Sequence, residues 1–152
     1  MTTVLGDEID VLAKAKRAIA GDYLPSDAEE YMCEAQLNYY RRLLQEWKKL
    51  ILSAAQDTLQ QLQDGPIREP DLNDRASSET DWGIELRTRD RQRKLIAKID
   101  SALRRIEEGE YGYCEVTGEP IGLGRLSARP IATMTVEAQE AHERREKISR
   151  DD

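Results

Sequence analysis

The sequence predicts a mainly α-helical fold: a long antiparallel coiled-coil hairpin plus a small globular domain with a degenerate zinc-finger-like knot and a C-terminal helix. Residues 28–63 contain neither Gly nor Pro, and residues 71–108 contain a single Gly. A short segment rich in helix breakers separates these stretches, and a turn-rich segment follows them at 109–120. Charged residues make up 35% of the chain and aromatic residues 5%, which favours extended helices over a broad core.

The first element is a short amphipathic helix, predicted over residues 5–20. Its aliphatic residues recur at helical spacing: Leu5, Ile9, Leu12 and Ile19. Gly21 and Pro25 break this pattern. Ser26 or Asp27 then provides a side chain that can cap the next helix.

Two long helices form the predicted hairpin. In the first, apolar residues follow a coiled-coil seam whose phase shifts by four residues after Ile51: Leu37, Tyr40, Leu44, Trp47, Ile51 and Ala54, then Ala55, Leu59 and Leu62. Gly65, Pro66 and Pro70 end it. The second helix has an apolar stripe of its own: Trp82, Leu86, Ile96, Ile99, Leu103 and Ile106. Helices joined by a short break fold back antiparallel, so we expect an arm on the order of 45 Å long that serves to reach a partner.

The C-terminal part has shorter elements. Tyr111, Tyr113 and Val116 suit small strands, and Thr135 can cap a last helix. The predicted domains are an N-terminal helical segment that packs in the globular domain (1–32), the coiled-coil hairpin (33–108) with its tip at 64–76, the degenerate zinc-finger-like region (109–134), and the C-terminal helix and tail (135–152).

Composition excludes several classes of protein. The net charge of −7 argues against a general DNA-coating role, because phosphate binding requires a basic face. No apolar run reaches the ~20 residues that cross a bilayer, and the first residues do not resemble a secretion signal. Cys33 and Cys114 lie in unlike contexts, which suits a reducing compartment. We therefore expect a cytoplasmic protein without a membrane segment. A monomer is expected as well.

The hairpin tip is acidic. Residues 64–81 hold six acidic and two basic groups, a net −4. Asp71 and Asp74 lie three residues apart at the start of the second helix. They either stabilise the helix dipole or are delivered by the arm to a metal or a basic surface.

Further along the same helix the charge reverses. Residues 87–105 hold eight basic and two acidic groups, a net +6. One helical face carries the basic row Arg87, Arg91, Lys94 and Lys98. This row is either a solvated, salt-bridged face or a surface for an anionic partner or a phosphorylated ligand.

The turn-rich segment has the spacing of a zinc site without its ligands. The pairs Cys114-x-x-Thr117 and Thr135-x-x-Ala138 are arranged like two zinc knuckles, but tetrahedral zinc requires four Cys or His ligands. His142 adds at most one more. We therefore expect no zinc and a site held by packing and hydrogen bonds, with Cys114 either a buried small residue or an oxidisable thiol.

Four stretches together identify a family: residues 71–76, 85–96, 112–119 and 125–130. With the spacing between them, the chain from 33 to 149 resembles the DksA/TraR family of RNA polymerase-binding transcription factors. The resemblance implies that the coiled-coil arm enters the secondary channel of RNA polymerase and acts with guanosine tetraphosphate (ppGpp). It assigns three sets of positions: the tip Asp71, Asp74 and Ala76; the polymerase-binding arm Arg87, Arg91 and Lys94; and the ppGpp site Leu95, Lys98 and Arg129.

Two departures from the family pattern matter. The family's four zinc-binding cysteines correspond to the degenerate zinc positions Cys114, Thr117, Thr135 and Ala138, as in cysteine-poor members that fold without zinc. Compensating contacts are then expected from Tyr111, Tyr113, Ile121, Leu126 and the Thr135 cap. A family lysine corresponds to Gln139, which weakens one expected phosphate contact to ppGpp.

The resulting hypothesis is a regulator of transcription initiation, as at ribosomal RNA promoters in the stringent response. It is not an enzyme, binds no cofactor tightly, and contacts DNA only through the polymerase. One alternative is a transcript-cleavage helper that resembles the Gre factors, with a metal at an acidic tip. The other is a plain coiled-coil adaptor that has no polymerase target.

Overall fold

In the computed structural model, the backbone is described for residues 4–63 and 72–151, and side chains mainly for residues 9–57 and 80–149. These residues form α1 (Val4–Ala18), α2 (Glu34–Gln63), α3 (Leu72–Glu108), α4 (Leu123–Ala128) and α5 (Val136–Asp151). The two long helices confirm the predicted hairpin. No helix in the described ranges is both long and apolar enough to cross a bilayer.

The chain divides into two compact units. Unit 1 comprises Met1–Ile19 and Gln45–Lys98, and unit 2 comprises Ala20–Leu44 and Ile99–Asp152. Helices α2 and α3 therefore contribute to both units, and α1 belongs to the unit that contains most of the hairpin. The finer four-part division expected from the sequence stays a prediction.

The elements that the structure describes in unit 1 are helices. Its buried apolar residues lie on α1, α2 and α3 and on the residue that follows α1: Leu12, Ala15, Ile19, Trp47, Ile51 and Leu95. The parts of α2 and α3 that lie in this unit, 45–63 and 72–98, are called the arm below. Ala55 is partly buried while Ala54 is exposed, in agreement with the predicted phase shift after Ile51.

One part of the predicted stripe on α3 is wrong. Trp82 and Leu86 are exposed, whereas Ile99 and Ile106 are buried as expected. A seven-residue repeat extended back from Ile99 reaches Glu85, so the apolar residues nearest the tip fall out of the seam.

Unit 2 contains all six tyrosines of the chain. Its fully buried side chains include Tyr40, Tyr111, Leu43, Leu44, Ile99 and Leu126. Ring contacts connect Tyr40 to Tyr39 and Tyr111, with centroid separations of 5.2 and 5.7 Å. An ion pair between Arg41 and Glu107, 3.2 Å apart, joins the start of α2 to the end of α3, as an antiparallel hairpin requires.

Helix α2 begins six residues later than the predicted start near residue 28. Met32 has a positive φ of 55°, which a helix does not permit. The side chain of Gln36 stabilises this turn: its oxygen accepts a hydrogen bond from the Met32 N–H at 2.8 Å, and its amide donates to the Ser26 carbonyl at 3.1 Å. Ser26 therefore does not cap α2. Its hydroxyl oxygen accepts a hydrogen bond from the Ala28 N–H within the preceding turn.

The expected small strands do not form in the part of the chain that the structure describes. One isolated bridge joins Tyr113 to Pro120. Between them the backbone turns sharply, because the Gly118 N–H donates to the Cys114 carbonyl at 2.9 Å and Gly118 has a φ of 75°. This turn leaves too few residues on either side for a ladder. The short helix α4 was not predicted.

Candidate functional site

The two degenerate knuckles meet around the sulfur of Cys114. The Thr117 hydroxyl and the backbone N–H groups of Val116, Thr117 and Thr135 donate hydrogen bonds to this sulfur. Burial raises the pKa of the thiol, but these donors outweigh burial and lower it to about 7. The sequence spacing thus correctly indicated that these positions lie together.

Thr135 and Ala138 form the second pair. Both are buried, and the Thr135 side-chain oxygen accepts a hydrogen bond from the Ala138 N–H at 3.1 Å. This is the geometry of an N-cap on α5, which confirms the predicted cap. The Arg125 guanidinium fixes the preceding residue by donating to the Met134 carbonyl at 2.8 Å.

These residues do not fit a tetrahedral zinc ion. Of the four knuckle positions only Cys114 offers a ligand of the kind that zinc prefers. Across the described ranges no three His, Cys, Asp or Glu residues are grouped so as to hold a metal. His142 is half-exposed and pairs with Glu146 through its Nε2 at 3.1 Å, whereas Cys114 is buried.

Hydroxyl and guanidinium groups hold together the zinc-finger-like region 109–134, which is called the knot below. The Tyr31 hydroxyl donates to the Gly112 carbonyl at 2.7 Å and accepts from the Gly122 N–H at 2.9 Å. The Tyr111 hydroxyl donates to the Pro130 carbonyl at 2.7 Å, and Arg105 donates to two backbone carbonyls of the same segment. Tyr111, Ile121 and Leu126 are buried as expected. The sequence pattern gave no sign of Tyr31, because its partners lie 81 and 91 residues away.

The basic row on α3 is exposed and partly paired within its own helix. Lys94 forms an ion pair with Asp90 at 3.1 Å, and Arg87 donates to the Gly83 carbonyl at 3.3 Å. Arg91 contacts the Thr88 hydroxyl at 3.4 Å. Such exposed pairs contribute little stability and leave most of the charge available to solvent or to a partner. Both interpretations of the row are therefore compatible with its geometry.

The other predicted site residues are placed less completely. Asp71 lies outside the described residues, as do the side chains of Asp74 and Ala76, whose backbone belongs to α3. Leu95 and Lys98 belong to unit 1, and Leu95 is buried. Arg129 is exposed in unit 2, where it ends α4. The tip and the ppGpp site stay predictions.

Comparison with known families covers most of these elements. Residues 36–106 match the model described as DnaK suppressor protein DksA, N-terminal domain, and residues 109–144 match the prokaryotic dksA/traR C4-type zinc finger. The chain belongs to the DksA family. The first match spans nearly all of α2 and α3, and the second spans the knot and the first half of α5.

Individual relatives agree with this assignment. A Caulobacter vibrioides protein named RNA polymerase-binding transcription factor DksA is 62% identical over 131 residues, which cover 86% of this chain and 92% of the relative. An Escherichia coli K12 protein of the same name is 43% identical, with 86% and 87% covered. The solved structure of transcription factor DksA2 from Pseudomonas aeruginosa has a TM-score of 0.70 and 39% identity, covering 92% of this chain and 98% of that one.

The chain lacks three of the four thiols expected of a C4-type zinc finger. The matched model is a C4-type zinc finger, yet one thiol, two threonines and an alanine occupy the knuckle positions here. In place of metal ligands, the Cys114 sulfur accepts hydrogen bonds and Thr135 caps α5.

Proposed function

We propose that this chain binds RNA polymerase through its arm and regulates transcription initiation without catalysing a reaction. The observation that carries the proposal is the family match across both long helices and the knot. It is supported by the names of relatives at 62% and 43% identity, each an RNA polymerase-binding transcription factor. The arm enters the secondary channel, and its tip acts near the polymerase active centre.

The proposed roles divide between the tip and the arm. Asp71 and Asp74 perturb the active-centre region electrostatically, and Ala76 keeps the tip narrow. The arm residues Arg87, Arg91 and Lys94 hold the protein on the polymerase. Exposure of this basic row supports its role, because guanidinium and ammonium groups bind anionic protein surfaces.

We further propose that ppGpp acts as a co-effector where this protein meets the polymerase. Lys98 and Arg129 supply positive charge for its phosphates, and Leu95 borders the site. Gln139 is neutral, and its side-chain amide donates a hydrogen bond to Glu143 at 3.1 Å. It therefore offers no positive charge to the phosphates of ppGpp. We therefore expect a ppGpp response that is weaker than that of a chain with Lys at this position.

The fold is proposed to form without zinc, in the cytoplasm, and as a monomer that has no sequence-specific contact with DNA. The knuckle chemistry supports zinc independence, since Thr117 and Thr135 are engaged in hydrogen bonds and Ala138 has no ligand atom.

Run-off transcription from a ribosomal RNA promoter tests the proposal, using purified polymerase with and without ppGpp and with a chelator present. Inhibition that deepens with ppGpp and survives chelation is the expected result. Asp74→Asn should lose inhibition but keep polymerase binding. Asp81→Asn, an exposed acidic residue on the same helix, serves as the matched control and should keep both.

Two outcomes would favour the alternatives. Shortening of the RNA in stalled complexes would indicate a Gre-like cleavage helper. Absence of any effect on transcription, together with indifference to tip substitutions, would indicate a plain coiled-coil adaptor.

A further inference from the structure

In the part of α3 before Leu95, polar residues occupy inward positions and apolar residues occupy outward ones. Leu95 and Ile99 occupy inward positions of α3 and are buried. The same seven-residue repeat places Thr88 and Gln92 inward closer to the tip, and both are partly shielded from solvent. The Glu85 side chain is also inward and only 14% exposed. The inward positions of α3 are therefore polar from Gln92 back to Glu85.

Apolar side chains lie on the outside of the same segment. Trp82 is 40% exposed and Leu86 is 59% exposed, and their spacing of four residues places them on one helical face. Arg89 and Arg93 continue this face at further spacings of three and four. An ion pair from Arg89 to Glu85 at 3.7 Å links the face to the polar interior. These four residues are called the outer row.

This arrangement is not explained by the stability of the arm. Packing would favour apolar side chains in the seam and polar ones outside. Here Glu85 lies in the seam, whereas Trp82 and Leu86 lie outside it. Clustered exposed apolar residues bordered by charges mark interaction sites on soluble proteins. Trp and Arg are also the residue types that dominate binding energy at protein interfaces.

We propose that the outer row is a docking surface for RNA polymerase, separate from the basic row Arg87, Arg91, Lys94 and Lys98. The inference rests on the proposed function. Its partner is an apolar groove with an acidic edge: the groove receives Trp82 and Leu86, and the edge pairs with Arg89 and Arg93. An arm enclosed by a channel presents more than one face to the walls, so a second contact row is expected.

Two other occupants fit less well. A lipid surface requires an apolar face several turns long, whereas the apolar part of the outer row covers a single turn. A second copy of this chain would bring Arg89 and Arg93 of both copies into one small interface, because the same face pairs with itself in a two-fold dimer. Arg89 and Arg93 therefore favour a partner with negative charge.

The test measures the polymerase affinity of full-length variants by competition against labelled wild-type protein. Trp82→Gln and Leu86→Gln should each weaken binding roughly tenfold or more, as expected for buried interface anchors. Ile84→Gln is the matched control: Ile84 is 46% exposed on the same helix but lies on a different face. It should change affinity less than about twofold. Circular dichroism and melting temperature should match wild type for all three, since none of these side chains is buried.

Three outcomes would overturn the inference. If Trp82→Gln and Leu86→Gln weaken binding no more than Ile84→Gln, polymerase contact by the outer row is excluded while the proposed function stands. If wild-type protein does not bind polymerase, the proposed function fails and the inference fails with it. If sedimentation shows a wild-type dimer that Trp82→Gln abolishes, without a change in polymerase affinity, the occupant is a second copy.

Discussion

The side-chain oxygen of Thr135 accepts a hydrogen bond from the Ala138 N–H at 3.1 Å, so two positions of the zinc-finger frame form a helix cap. The cap lies at the turn that leads into α5, within the region that matches a C4-type zinc finger. Because the cap satisfies one of the free N–H groups of α5, this turn is stabilised without a metal.

Removing the cap should destabilise unit 2. Thr135→Ala leaves the Ala138 N–H buried without its partner, and we expect a loss of about 1 kcal/mol in the free energy of unfolding. Thr135→Ser retains the oxygen and should lose less. Thr133→Ala removes an exposed hydrogen bond to Glu115 and should cost under about 0.5 kcal/mol. Urea denaturation followed by circular dichroism measures all three, and equal losses for the Ala variants would contradict the assigned role of the cap.

The sequence predicted elements whose signals are local. The heptad spacing of Tyr40, Leu44, Trp47 and Ile51 predicted the seam, and all four are buried. Thr135 predicted the start of α5 for the same kind of reason, because a cap acts on residues within one turn. The predicted start of α2 was wrong because the Gln36 side chain hydrogen-bonds to the backbone of the preceding turn. Helix propensity alone gives no sign of this contact, since Gln is a common residue within helices.

The candidate site was predictable only in part. Knuckle spacing correctly indicated that Cys114, Thr117 and Thr135 lie together. It could not indicate Tyr31, whose two backbone partners are distant in sequence. The spacing of four between Trp82 and Leu86 fits an inner or an outer face equally well, so only the seven-residue repeat extended back from the buried Ile99 places them outside the seam.

Tyr31 connects two turns of the knot, and its hydroxyl should matter more than its ring. Tyr31→Phe removes the acceptor of the Gly122 N–H and one of the two donors to the Gly112 carbonyl, which keeps the Ile121 N–H at 2.8 Å. We expect a loss of about 1–2 kcal/mol in the free energy of unfolding, since both groups are partly buried. Thermal or urea unfolding of the variant measures this loss.

Tyr113→Phe is the matched control. The Tyr113 ring packs edge-on against Tyr31 with a centroid separation of 5.6 Å, and its hydroxyl has no hydrogen bond among the described residues. Its removal should cost less than about 0.5 kcal/mol. If both variants unfolded alike, ring packing rather than the hydroxyl bridge would hold the two turns.

The thiol of Cys114 should make stability depend on pH in a defined direction. Its pKa is lowered from 9.0 to about 7 in the folded protein, so the folded state favours the thiolate. The resulting stabilisation is fully present above the unfolded pKa and is lost as the pH falls through the folded pKa. In a Cys33→Ser background, stability should therefore rise between about pH 7 and 9.

Two variants isolate the cause of this dependence. Cys114→Ser should abolish the rise in stability. Thr117→Val removes the side-chain donor to the sulfur and should raise the thiol pKa, measured from the ultraviolet absorbance of the thiolate. A pKa that stays near 7 in Thr117→Val would assign the shift to the backbone N–H groups of Val116, Thr117 and Thr135 alone.

Restoring three thiols should restore a zinc site. The triple substitution T117C/T135C/A138C adds Cys residues at the other three knuckle positions, of which Thr117 and Thr135 lie beside the Cys114 sulfur, and four thiolates are a common structural zinc set. Without metal this variant should be less stable than wild type, because it loses the Thr135 cap. Zinc should raise its melting temperature, since binding to the folded state alone adds to stability. Chelator should lower it again while leaving wild type unchanged.

The role of Cys114 as the fourth ligand is tested by adding C114S to the triple variant. Cobalt titration of the triple variant should give the visible absorption of a tetrahedral thiolate complex, and C114S should weaken that binding strongly. Equal cobalt affinity with and without C114S would mean that the second knuckle does not direct its side chains towards Cys114. A melting temperature of wild-type protein that falls on chelation would contradict the proposed zinc-free fold directly, because no engineered ligand is then involved.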